Sequence, residues 1–164
     1  MIGYGVVVWL HVLAAAVWIG SMVFFAAVVV PVVRKLEPQA AAPLIRKIGV
    51  RFRALGWLAL SALVVTGAAN LFYRGVTWEM LTSGAFWSAG FGLVLGWKLG
   101  LVAIILIATA LHDVLASSPV RGRLGSARDQ QLARRRASWL GRFVMVVSLV
   151  ILFLAVALAR GFLS

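Results

Sequence analysis

The sequence predicts an all-α integral membrane protein: an antiparallel bundle of four transmembrane helices with both termini outside. Three observations predict it. Hydrophobic residues fill 63% of the 164 positions and charged residues 12%, whereas a soluble domain is about half apolar and a quarter charged. The mean hydropathy of +1.05 is concentrated in four runs, each near the ~20 residues that a helix needs to cross a bilayer. Basic residues gather in alternate connections, the pattern that holds loops on the cytoplasmic side.

The first run covers residues 5–33, with His11 and Ser21 as its clearly polar side chains. The second covers 54–73, with Asn70 late in it and Arg74 just beyond. The third covers 90–112, carries Lys98 and ends on His112. The fourth covers 143–163 and carries Arg160. In hydrocarbon every backbone polar group must be satisfied within the segment, so each run is read as a helix. Hairpin connections make one up-down-up-down domain over 1–164. No segment between the runs is long enough for a soluble domain. The first run lacks a basic leader and is too long for a cleavable signal peptide. No convincing repeat relates the two halves.

Orientation follows from the connections. Residues 34–53 hold Arg34, Lys35, Arg46, Lys47, Arg51 and Arg53 against Glu37. Residues 113–142 hold seven arginines against Asp113 and Asp129. The connection after the second run holds Arg74 and Glu79. Both basic connections are expected inside, which puts both termini outside. Trp9, Trp57, Trp78, Trp87, Trp97 and Trp139 fall near run ends, as an interfacial belt requires. The expected location is a bacterial inner membrane, multi-pass.

The partner these features select is the lipid bilayer. The formal net charge of +12 does not indicate nucleic acid, because the cations sit between apolar runs as a topology signal. There are no cysteines, so disulfides, thiolate metal sites and cysteine nucleophiles are excluded. Gly92, Gly96 and Gly100 repeat every fourth residue and form a side-chain-free ridge on a helix. Such a ridge admits either close helix packing or a flat cofactor.

Ionisable groups in hydrocarbon are costly, so each is a candidate for function. His11 shares a helical stripe with Ala15, Trp18, Met22 and Phe25. Neutral imidazole is the commonest metal ligand and a frequent haem-iron ligand. Small Ala14 and Ala15 leave room for a porphyrin edge. The alternative for His11 is a hydrogen bond to a neighbouring helix that serves packing. Lys98 can pair with a carboxylate or haem propionate, or snorkel to the outer interface. It points ~160–200° away from the glycine ridge, toward lipid or another copy of the chain in a homo-oligomer. His112 is a second candidate ligand, with a helix-terminal histidine beside Asp113 as the alternative. It lies ~21 Å along the helix from Lys98, near the opposite membrane face from His11, so the two histidines cannot readily share one iron. His11, Asn70, Arg74, Lys98 and Arg160 converge at one outer depth. A ligand histidine ringed by cations suits a haem with outward propionates, and the same cations suit lipid phosphates.

Three stretches carry a family resemblance: WLHVLAAAVWIGSMVFF in the first run, VVTGAANLFYRG ending the second, and LTSGAFWSAGFGLVLGWKLGLVAIILIATALHD through the third. Together they resemble the CopD-like membrane proteins, which comprise the copper-resistance D domain and, more distantly, the HemJ-type protoporphyrinogen oxidases. The resemblance covers about two thirds of the chain. It implies a compact helical bundle and, in the HemJ branch, b-type haem with His11 and Lys98 at the matching histidine and lysine. AAVVVPVVRKLEP stands where that branch carries Arg-Leu-Phe-Val-Tyr-His, which counts against the oxidase activity. Met1, Met22, Met80 and Met145 form no close pair, which counts against copper transport.

The leading expectation is therefore a haem b-binding membrane protein that passes electrons, with quinone, an oxygen species or another redox protein as partner. A copper-handling protein, a protoporphyrinogen oxidase and an accessory subunit follow. The topology is open to a direct check. A periplasm-dependent reporter fused at the C-terminus is expected to be active, and activity of a cytoplasm-dependent reporter there would reverse the orientation.

Overall fold

The computed structural model describes residues 2–88, 90–116 and 127–159. Among the described residues all regular structure is helical, and four helices are long and apolar enough to cross a membrane: Ile2–Arg34, Gln39–Tyr73, Gly90–Leu115 and Gln131–Val156. The protein is a multi-pass membrane protein in this sense. The described chain divides into two compact units, Met1–Trp78 and Glu79–Ser164.

In the first unit, α1 (Ile2–Phe24) runs through a π-helical turn, Phe25–Val29, into α2 (Val30–Arg34). The wide turn has a local cause. Pro31 has no N–H to donate, and its ring collides with the carbonyl four residues back in a regular helix. The Val30 N–H bonds instead to the Phe25 carbonyl, five residues back, which widens the turn just before the proline. Glu37 precedes α3 (Pro38–Tyr73), and Pro38 occupies its first position, where no amide hydrogen is needed. α3 stops at the sequence Tyr-Arg-Gly-Val. Gly75 adopts φ of 74°, and its N–H and that of Val76 bond to the carbonyls of Phe72 and Leu71. That is a Schellman stop, which requires the left-handed backbone that glycine adopts without strain.

α1 and α3 pack in a single register. Tyr4 meets Tyr73 with ring centroids 5.8 Å apart, and Phe25 meets Phe52 edge-on at 5.1 Å. His11 lies against Thr66. Moving seven residues up α1 from Tyr4 to His11 matches seven down α3 from Tyr73 to Thr66, and the next fourteen match again at Phe25 and Phe52. Seven is the repeat at which two helices keep one seam in contact, with contacts alternating three and four residues apart. Ala14 and Trp18 on α1, and Gly56, Ala59 and Thr66 on α3, are buried along this seam. Gly56 makes room for the indole: a Cβ there would stand 3.1 Å from the Trp18 ring. The 3-4 alternation also corrects the sequence-based stripe. It passes through Ala14, whereas Ala15 and Met22, four residues from His11 and Trp18, are half-exposed.

The second unit holds two short helices, α4 (Trp78–Thr82, whose first residue closes the first unit) and α5 (Gly84–Trp87), then α6 (Gly90–Ala116) and α7 (Ala127–Ala159). Leu95, Ile105 and Ala108 of α6, and Ala133, Ala137, Val144, Val147 and Ser148 of α7, are buried. The Ser148 hydroxyl donates to the Val144 carbonyl, so no polar group of this small core is left over at that point.

Two expectations change. Among the described residues, most of the basic connections 34–53 and 113–142 is helical: α3 begins at Pro38 and α7 at Ala127, and 117–126 lie outside the described residues. Alanine, arginine, lysine and glutamine are strong helix formers, and hydropathy alone does not register that. The glycine ridge, for its part, is met by α5. A Cβ at Gly92 would collide with the Phe86 carbonyl, and one at Gly96 would lie 3.3 Å from the Trp87 ring. At these two positions the space is filled by protein, as the close-packing reading expects, and Gly100 has nothing within 4 Å.

That difference sets up a paired test. Gly92→Ala is expected to displace α5 and lower the melting temperature of the detergent-solubilised protein by several degrees. Gly100→Ala meets open space and gains about 0.5–1 kcal/mol of helix propensity, so it is expected to be neutral or stabilising. Equal effects would contradict the placement of α5.

Candidate functional site

Two polar side chains of the first unit, His11 and Thr66, meet across the α1–α3 seam. His11 is half-buried and Thr66 is 8% exposed. His11 Nδ1 and Thr66 Oγ1 are 2.7 Å apart. The Thr66 hydroxyl also lies 2.5 Å from the Ala62 carbonyl oxygen and 3.4 Å from that of Leu63. A hydroxyl has one hydrogen and two lone pairs. Its hydrogen is committed to its own helix, because two oxygens at 2.5 Å with no hydrogen between them would repel. Thr66 therefore accepts, and His11 Nδ1–H donates. The network thus puts a proton on Nδ1, and in a neutral imidazole so bonded the lone pair is on Nε2. In metal-binding histidines the far nitrogen is fixed by just such an outer partner.

The surroundings of the ring are small. A Cβ at Gly67 would lie 3.5 Å from His11 Cε1, in ordinary contact. Asn70 follows Thr66 by one turn, and its Oδ1 is buried with no hydrogen-bond partner among the described residues. Tyr73 follows next on the seam. Arg74 is exposed at the helix stop, with its backbone N–H shared among the carbonyls of Asn70, Leu71 and Phe72. The structure thus brings His11, Asn70 and Arg74 to the same part of one helix pair, and adds Thr66.

The remaining expected residues lie elsewhere. Lys98 and His112 belong to the second unit. They fall on one side of α6 with Ile105 between them, at seven-residue steps, and Lys98 is half-buried. That side is the one toward α7, since a Cβ on Gly141 of α7 would lie 3.9 Å from His112 Nε2. The sequence-based placement of Lys98 against lipid assumed that the glycine ridge faces the bundle. The ridge is instead occupied by α5 at Gly92 and Gly96. His112 Nδ1 is 3.4 Å from Asp113 Oδ1, with the side chains 38% and 19% exposed. This is the local helix-end pair that its position allows. Arg160 lies outside the described residues. Among the described residues no three His, Cys, Asp or Glu side chains gather as a metal cluster, so a ligand-rich copper centre finds no support there.

Thr66 was not among the sequence-based candidates. One signal was present: Thr66, Asn70 and Tyr73 follow the same 4-3 spacing as polar-capable positions on an otherwise apolar helix.

Fold and site together define a small polytopic helical membrane protein with a histidine–threonine pair clasped between two spans. The chain belongs to the DUF4149 family, described as a domain of unknown function, whose profile matches residues 13–118. That match includes Thr66, Asn70, Arg74, Lys98 and His112 and starts just after His11. An uncharacterized protein of Aquifex aeolicus (strain VF5) is 30% identical over 154 residues, covering 93% of each chain. No solved structure matches.

The pair makes a specific expectation. Thr66→Val keeps the shape but removes the acceptor, stranding the His11 N–H at a cost of about 1–3 kcal/mol. Thr66→Ser keeps the acceptor. Thermal denaturation in detergent is expected to show the valine variant clearly less stable than the serine variant. The reverse order would rule out the assigned hydrogen bond.

Proposed function

We propose that this chain is a haem b-binding protein of the bacterial inner membrane, with a redox role, in which His11 would hold the iron. The observation that carries the reading is the His11 Nδ1–Thr66 Oγ1 contact of 2.7 Å, an oxygen partner of the kind that orients a ligand imidazole. The donor chemistry fits the group. A neutral imidazole oriented by an oxygen acceptor on its far nitrogen is the usual histidine ligand of haem iron, and Gly67 presents no side chain to the Cε1 edge of the ring. When bound, haem would supply one-electron chemistry.

The chain's own residues have separable tasks in this reading. Thr66 is a positioning residue: it sets the ring orientation. Asn70 offers an unused buried acceptor one turn away. Arg74 supplies an exposed cation at the end of the span, suited to a carboxylate such as a propionate. The CopD-like resemblance points the same way, and the proposal includes an antiparallel four-helix arrangement with both termini outside. Lys98 and His112 form a separate polar seam on α6, and the reading does not require either as the ligand paired with His11.

The test is a visible spectrum of the detergent-purified protein. Wild type is expected to show a Soret band. His11→Ala is expected to lose most of that absorbance while still inserting, because removing a polar side chain makes the span more apolar. His112→Ala is expected to keep most of it. A colourless wild type from haem-replete cells, or loss confined to the His112 variant, would refute the proposal.

A further inference from the structure

The second unit carries a groove that the histidine site does not use. It has a volume of about 550 Å³ and lies where the end of α6, at Leu115, meets the first half of α7. Its α7 wall is one helical face: Leu132, Arg135, Arg136, Trp139, Leu140 and Phe143. Leu132 and Phe143 are about half exposed, Trp139 is 69% exposed, and both arginines are exposed. Arg142 adds a third cation, its guanidinium 5.5 Å from the centroid of the Trp139 ring.

The position of this groove along α7 matters. Arg142 is the last charged residue before the apolar stretch from Phe143 to Ala159. The groove therefore straddles the level where the helix changes from charged to lipid-soluble, a change that the positive-inside pattern places near lipid headgroups. Tryptophan prefers that level because it offers an apolar body and a polar N–H. Guanidinium groups bind phosphate oxygens in a bidentate fork. Asp113, the nearby acid of α6, is paired with His112 and does not line the groove.

We infer that this groove is a binding site for an anionic phospholipid, whose phosphate is held by Arg135 and Arg136 and whose upper acyl chain lies against Leu132, Leu140 and Phe143. Charge complementarity selects an anion, and the apolar walls select a lipid over free phosphate, which would gain nothing from leucine and phenylalanine. An apolar groove flanked by exposed arginines suits such a lipid, with the chain against the walls and the headgroup at the cations.

The experiment uses the full chain in neutral detergent and reads the melting temperature. Added phosphatidylglycerol is expected to raise it by several degrees more than the same amount of phosphatidylcholine. The Arg135→Gln/Arg136→Gln double variant is expected to lose more than half of that difference. Arg46→Gln/Lys47→Gln removes two exposed cations on α3 and is expected to retain it. Equal loss in both double variants would mean general surface charge and overturn the site. Inorganic phosphate reproducing the full shift would overturn the lipid. No preference for phosphatidylglycerol in wild type would overturn both.

Discussion

A histidine inside an apolar helix must place its N–H on an acceptor, because an unpaired donor in a low-dielectric medium is expensive. In this protein the acceptor is on another helix, so the requirement becomes a constraint on register. His11 can reach Thr66 Oγ1 at 2.7 Å only when α1 and α3 are aligned as they are. Slipping the pair by one residue would turn the hydroxyl away. The same alignment sets Tyr4 on Tyr73 and Phe25 on Phe52, and it seats Trp18 over Gly56. Apolar packing in a membrane is permissive, since lipid tails compete on equal terms with leucine. One polar pair, two aromatic pairs and one glycine notch supply the specificity that general hydrophobicity lacks.

The same bond that sets the register also sets the chemistry. Because Thr66 spends its hydrogen on the Ala62 carbonyl, it offers the imidazole only a lone pair. The ring therefore meets Thr66 through a protonated Nδ1. Structure and reactivity are coupled through one hydroxyl, and a substitution there disturbs both at once. Outside the spans, the chain meets water and headgroups through long helical extensions rich in arginine. Cations there are carried on regular helices, so they occupy fixed faces: Arg135 and Arg136 fall beside Trp139.

Much of the architecture was legible in the sequence. Four apolar runs of the right length predicted four long helices, and the Tyr-Arg-Gly-Val stop fell where the second run ended. The extensions were not legible from hydropathy, because alanine and arginine favour a helix without adding apolar character. The seam was partly legible. A straight 3.6-residue period from His11 leads to Ala15, whereas the 3-4 alternation of a packed pair leads to Ala14 and Trp18. His11 and Asn70 were readable as costly polar groups in hydrocarbon. Thr66 was not, since threonine in an apolar helix satisfies itself by bonding to its own backbone. Its second role appears only once α1 is beside it. The glycine ridge had two readings, and the choice between them rested on α5, whose return over Gly92 and Gly96 no periodicity announces.

The central claim is the protonation of one ring nitrogen, and nitrogen NMR measures it directly. Protein carrying ring-¹⁵N histidine in detergent micelles, compared with its Thr66→Val variant, assigns the proton on each imidazole nitrogen. With His112→Gln as the background the signals belong to His11 alone. His11 is expected to be neutral and protonated at Nδ1, with that signal changing when the Thr66 hydroxyl is removed. A ring protonated at Nε2, or one indifferent to the loss of the hydroxyl, would contradict it.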